Sequence, residues 1–122
     1  MKKVISKNTK RLLRKHRITA RLHGTASKPR LVIFKSLKYI YIQMIDDEQQ
    51  NTIASFSTHE DNYFNKLKSR KNKDAAKMLG EMAGNKAIEL GIKQVIFDRN
   101  GYKYHGNVKI FAEAARKKGL VF

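Results

Sequence analysis

Tyr39-Ile40-Tyr41-Ile42-Gln43-Met44-Ile45 alternates with a period of two, and that alternation decides the fold class. Successive side chains of an extended strand leave on opposite faces. Ile40, Ile42 and Met44 therefore share one face, suited to a core, while Tyr39, Tyr41 and Gln43 share the other, left for something polar. Just upstream, Arg30 to Lys35 (RLVIFK) has the same β-branched and aromatic character and lies close enough to close a hairpin. Asn51 to Ser57 (NTIASFS) reads as a third strand. Asp46, Asp47 and Glu48, between the second and third strands, read as a solvated turn and not as a metal or acid/base site.

Downstream the period lengthens. Residues 60–71 read as a charged linker, and Asn72 caps a helix running to about Leu90, with Ala75, Leu79, Met82, Ala83 and Leu90 as its apolar stripe and Gly91 as its αL stop. Gly80-Glu81-Met82-Ala83-Gly84 spaces small residues for a close helix-to-sheet contact; Glu81 and the charged flanks argue against a membrane dimer. Lys93 to Asp98 is a short strand, so residues 51–98 form strand, crossover helix, strand, with a right-handed connection as the default. A last helix covers Val108 to Lys118, Gly119 ends it, and Leu120-Val121-Phe122 pins the terminus to the core. The expected fold is α/β: a single small domain over residues 29–122, a mixed sheet of about four strands packed with two helices, preceded by a flexible basic arm over residues 1–28.

The arm holds the clearest chemistry. Of 27 Lys and Arg against 10 Asp and Glu, thirteen basic residues and no acid fall in residues 1–45, within a net charge of +17 over 122 residues. Such an excess opposes compaction unless a polyanion neutralises it, and Lys and Arg without interspersed acids can follow phosphates and release their counterions. Asn8 or Thr9 can cap a short helix through His16 and Arg17, but apolar positions are too few to bury a stable face, so the arm is expected to be mobile until bound. Pro29 disfavours helix at Lys28 and sets the start of the domain near Arg30. No apolar run approaches the roughly 18 residues that span a bilayer and no secretory signal is visible, so a soluble, cytosolic protein is expected. With no cysteine, disulfides, thiolate zinc sites and cysteine nucleophiles are excluded.

Two further surfaces each allow two readings. Tyr39, Tyr41 and Gln43, flanked by Lys35 and Lys38, suit stacking on unpaired bases or contact with a minor groove; they equally suit cross-strand packing beneath a helix. The segment from Asp98 to Gly106 follows a strand and opens a helix, so its N–H groups can face an anion; it can equally be a loop whose tyrosines cover the core edge.

Taken together, these blocks resemble one family, the bacterial form of large-subunit ribosomal protein eighteen, which binds 5S rRNA in the central protuberance. The resemblance runs almost end to end. It is carried by the basic arm, Lys28-Pro29-Arg30-Leu31, Tyr39 through Asp47, Ser57-Thr58, Asn72-Lys73-Asp74-Ala75-Ala76, and above all Phe97-Asp98-Arg99-Asn100-Gly101-Tyr102-Lys103-Tyr104-His105-Gly106 followed by Ala112-Glu113-Ala114-Ala115-Arg116. It implies a sheet-and-helix fold like that of small-subunit ribosomal protein eleven, docking of 5S rRNA onto 23S rRNA beside neighbouring proteins of the central protuberance, and no cofactor, metal or small-molecule substrate. The RNA contacts it implies are Lys10, Arg11, Arg14, Lys15, Arg17 and Arg21 in the arm. On the sheet they are Arg30, Lys35, Ser36, Lys38, Tyr39, Tyr41, Gln43 and Ser57, and beyond it Arg99, Tyr102, Tyr104, His105, Gly106 and Lys109. Three positions depart from the family pattern: Leu37 replaces a turn-forming Asn, Asn100 a Gly, and Asn107 an Arg, which removes or weakens one phosphate contact.

Two rival classes compete with this reading. A small nuclease on a similar scaffold needs carboxylates converging from separate elements, and Asp74, Glu81, Glu89, Asp98 and Glu113 fall mostly on expected solvated helix faces. A general polyanion binder is allowed by the arm and opposed by the motif blocks.

Overall fold

The computed structural model describes residues 7–19, 22–59 and 72–122, without the side chains of residues 16–19. The elements in order are α1 (Lys7–Thr19), β1 (Arg30–Lys35), β2 (Ile40–Asp46), β3 (Asn51–Ser57), α2 (Lys73–Glu89), β4 (Ile96–Asp98) and α3 (Asn107–Lys117). The expected linker at 60–71 and Arg21 lie outside the described residues.

The strands form one mixed sheet in the order β3-β2-β1-β4. β1 and β2 pair antiparallel, with Ile33 opposite Ile42 and Phe34 opposite Tyr41. β3 continues antiparallel on β2, and β4 lies parallel to β1 with Val32 opposite Asp98. The chain thus crosses from one edge to the other through α2, as the strand-helix-strand pattern requires. Neither Leu37 nor Lys38 has a positive φ. The first hairpin is closed by Ser36, whose hydroxyl accepts from the Tyr39 N–H at 3.1 Å and contacts the Tyr39 carbonyl at 3.2 Å. A serine hydroxyl thereby does the local bonding expected of a turn asparagine, and Leu37 sits 89% exposed at the tip.

The register puts Leu31, Ile33, Ile40, Ile42 and Met44 on one face, all fully buried with Leu79, Val95, Val108 and Phe111. Burying each such side chain contributes about 1.5–3 kcal/mol, so this face holds the sheet to the helices. Asn72 caps α2 by accepting the Ala75 N–H at 3.0 Å, and Gly91 follows with φ +75°. Leu90, expected in the apolar stripe, is 44% exposed, because it is already the capping residue.

Gly80 and Gly84 face α3 and not the sheet: a Cβ at Gly80 would lie 2.7 Å from the Ala114 Cβ, and one at Gly84 would lie 2.5 Å from the Lys118 Cβ. The small residues therefore serve helix-to-helix contact, correcting the expectation of helix-to-sheet contact. The terminus is pinned as expected, with Leu120 buried, Val121 bridged to Gln94 and the Phe122 ring 5.4 Å from Phe97.

A third helix, α1, was not among the two expected to pack. Its inward contacts come from arginines and not from an apolar stripe, while Leu12 and Leu13 are 45% and 55% exposed. Gly24, also N-terminal to Pro29, is buried and donates its N–H to the Asp47 carboxylate at 2.7 Å.

Candidate nucleic-acid interface

The second face of the sheet stays open among the described residues. Phe34 is 44% exposed, Gln43 is exposed, and Val32, Phe34, Ser36, Tyr41 and Gln43 line a shallow groove across β1 and β2. Ring centroids run from Phe34 to Tyr41 at 6.1 Å, from Tyr41 to Tyr39 at 6.4 Å and from Tyr39 to His59 at 4.5 Å. The tyrosines do pack across strands, yet as a half-exposed row of π surfaces, and Lys38, next to Tyr39 in the chain, is exposed. Phe34 and His59 join the row beyond the residues the sequence points to. The alternation of RLVIFK, which turns Leu31 and Ile33 inward, already turns Phe34 to this face. Ser57 lies on β3 opposite Tyr41, its hydroxyl accepting the His59 N–H at 3.0 Å.

The segment 98–106 divides in two. Asp98 is fully buried and accepts the Asn100 N–H at 2.9 Å; Asn100 takes φ +54°, the left-handed conformation an Asn tolerates in place of Gly. The Tyr102 hydroxyl accepts the Lys35 N–H at 3.0 Å and contacts the Lys35 carbonyl at 3.3 Å, and the ring packs on the core edge. Tyr102 is therefore not an open stacking plane. Arg99, half-buried, donates to the Tyr102 carbonyl at 3.2 Å. Tyr104, His105 and Gly106 are exposed, although Arg116 donates to the Tyr104 hydroxyl at 2.7 Å. Gly106 precedes α3 with no side-chain cap and no acid in the first turn, leaving the helix dipole's positive end uncompensated by a carboxylate there. Lys109, one turn in, is exposed and 3.9 Å from Glu113.

From α1, Arg11 donates to the Asn100 carbonyl and Arg14 to the Gly101 carbonyl, each at 2.8 Å. Lys10 is exposed and Lys15 half-buried; the Arg17 side chain lies outside the described residues.

Arg30 is placed differently from the expectation. Its guanidinium reaches both Asp47 oxygens, at 2.9 and 3.0 Å, and Asp98 at 2.9 Å, with 16% of its side chain exposed. An arginine forked between two carboxylates is spent within the fold, so it is not available as a phosphate clamp. The same network corrects the solvated turn: Asp46 is buried and accepts the N–H groups of Glu48 and Gln49, Asp47 is held by Arg30 and Gly24, and only Glu48 is exposed. Arg30 draws the Asp47 carboxyl below its ordinary range, chiefly by this hydrogen bonding. Asp98 likewise lies inside the fold and not on a solvated face.

Residues 5–122 match the family described as ribosomal L18 of archaea, bacteria, mitochondria and chloroplast. The chain belongs to the ribosomal L18 family. It is 51% identical to the large ribosomal subunit protein uL18 of Finegoldia magna over 122 residues, all of both chains. It is 48% identical to that of Caldicellulosiruptor saccharolyticus over 98% of this chain and 97% of the relative. Against that of Alkaliphilus metalliredigens it is 43% identical, again end to end. As an L18 family member its work is structural and not enzymatic. Among the described residues there is no group of three or more metal-ligating side chains, and no helix is long and apolar enough to cross a membrane.

Proposed function

We propose that the protein binds 5S rRNA as a constituent of the large ribosomal subunit and helps attach it to 23S rRNA in the central protuberance, beside neighbouring proteins. The observation that carries this reading is the open sheet face, where Phe34, Tyr41, Tyr39 and His59 form a row of rings beside Lys38 and Gln43. Exposed rings beside cations and an amide suit unpaired or splayed bases, with phosphates held by the surrounding Lys and Arg. Lys10, Arg11, Arg14, Lys15, Lys35, Lys38, Arg99 and Lys109 supply the charge; His105 and Gly106 extend the surface to the start of α3. Family membership and the L18 blocks in the sequence support the same partner.

The test is affinity for 5S rRNA against an unrelated RNA duplex at one salt concentration, with footprinting of the complex. A preference of tenfold or more, about 1.4 kcal/mol, supports specific recognition. Equal affinities would reduce the protein to a general polyanion binder, and magnesium-dependent cleavage of the RNA would favour the nuclease reading.

A further inference from the structure

We infer that the turn at 99–102 is a positioning device for the arm: it seats α1 so that Arg11, Arg14 and Lys35 meet an RNA backbone as one fixed cationic cluster, with Tyr102 joining the helix to the sheet. The inference rests on the RNA-binding reading and adds to it how the cations are arranged before RNA arrives.

Contacts of three kinds converge on this turn. Arg11 Nη1 donates to the Asn100 carbonyl and Arg14 Nε to the Gly101 carbonyl, both at 2.8 Å. The helix backbone itself lies against the turn, since a Cβ at Gly101 would run into the Arg11 carbonyl and the Lys15 amide. Finally, the Arg11 guanidinium carbon and the Lys35 ammonium each lie 4.7 Å from the centre of the Tyr102 ring. The Tyr102 hydroxyl is meanwhile bonded to the backbone at Lys35, which fixes the ring to the end of β1.

The partners of the two arginines are neutral. Arg11 also contacts the Asn8 side-chain oxygen at 3.3 and 3.4 Å, and among the described residues neither Arg11 nor Arg14 forms an ion pair. Carbonyl oxygens and a π face orient a guanidinium without cancelling its charge, and a side chain already ordered loses less entropy when it binds. Arg14 is held by Nε, an arrangement that presents its planar Nη fork for a phosphate. Like charges drawn together disperse unless something holds them, and the ring and the two carbonyls do so here.

The test uses the full-length protein titrated with 5S rRNA at several salt concentrations. The slope of log K against log salt counts phosphates released from their counterions, at roughly 0.7–0.9 per contact. Tyr102→Leu removes no charge, yet the slope should fall in magnitude by about one to two contacts. Arg11→Gln should cost about tenfold in affinity in the wild-type background and much less in Tyr102→Leu. Tyr102→Phe, which keeps the ring but loses its anchor on β1, should give a slope between those of the wild type and Tyr102→Leu. An unchanged slope in folded Tyr102→Leu, or strictly additive losses, would overturn the inference. Should that variant fail to fold, amide exchange of the free wild-type protein decides: protection over residues 8–19 supports a seated helix, and random-coil rates refute it. Wild-type protein with no preference for 5S rRNA defeats the functional reading instead, and the slope comparison can then still be made on any duplex.

Discussion

Arg30 shows how a single residue's role escapes a reading of the chain. The family resemblance directs it to RNA, but its two carboxylate partners lie 17 and 68 positions away, at a spacing no local pattern reports. Asp98 is fully buried, so removing the guanidinium leaves an unpaired carboxylate inside the fold. Arg30→Ala should therefore cost about 3–5 kcal/mol in chemical denaturation, while the folded fraction binds RNA nearly as well as the wild type. Were Arg30 a phosphate clamp, affinity would fall and stability would hold. Asp47 carries the pH dependence of the same network. Arg30 lowers its pKa below the ordinary 3.8, so in the folded state it remains ionised where the unfolded chain begins to take up a proton. The stabilisation is fully present above about pH 4 and is lost as the pH falls through the folded-state value. Asp47→Asn should be less stable than wild type at neutral pH and show a shallower loss of stability between about pH 4 and pH 2 in thermal melts.

At the scale of elements, period sufficed for β1, β2, β3 and the run of the two core helices, whereas the strand expected over Lys93 to Asp98 spans only Ile96–Asp98. Alternation in Tyr39 to Ile45 placed Ile40, Ile42 and Met44 inward, and Asn72 and Gly91 bounded α2, because these signals act between near neighbours. What escaped was contact between elements. Among its described side chains α1 buries no leucine; it is seated by arginines on carbonyls of residues 100 and 101, and hydrogen bonds to backbone leave no trace in hydropathy. The spacing of Gly80 and Gly84 was visible, but not which neighbour it serves. At Gly80 an added methyl meets the Phe111 carbonyl at 2.5 Å and the Ala114 Cβ at 2.7 Å. Backbone and a short side chain cannot swing aside, so Gly80→Ala must push α3 outward. The usual helix-favouring gain of Ala over Gly, about 1 kcal/mol, should be outweighed by overpacking of about 1–3 kcal/mol. Denaturant unfolding of Gly80→Ala should show a lower midpoint than wild type; an equal or higher one would mean that α2 and α3 have room between them.

For the molecule as a whole, the same charge predicts two opposite responses to salt. With +17 over 122 residues and no acid before Asp46, the free protein carries cations on α1, the hairpin and the loop before α3, opposed by only 10 Asp and Glu in the whole chain. Compaction brings these like charges together, so self-repulsion lowers the stability of the folded state at low ionic strength. Added salt shortens the screening length from about 30 Å at 0.01 M to about 8 Å at 0.15 M, within the dimensions of so small a domain. The melting temperature of the free protein should therefore rise over that range. Screening of the Arg30 network works against the rise only weakly, because those groups are mostly shielded from solvent. The complex should respond in the other direction. Neutralising roughly six to ten phosphates makes binding lose about 10³ to 10⁵ in affinity between about 50 and 200 mM salt on the scale of duplex DNA, with a smaller slope on folded RNA. Calorimetric melts of the free protein and 5S rRNA titrations over one salt series measure both effects. A melting temperature that falls with salt would show that attractive surface pairs outweigh repulsion, and an affinity flat across the series would remove phosphate neutralisation as the driving force.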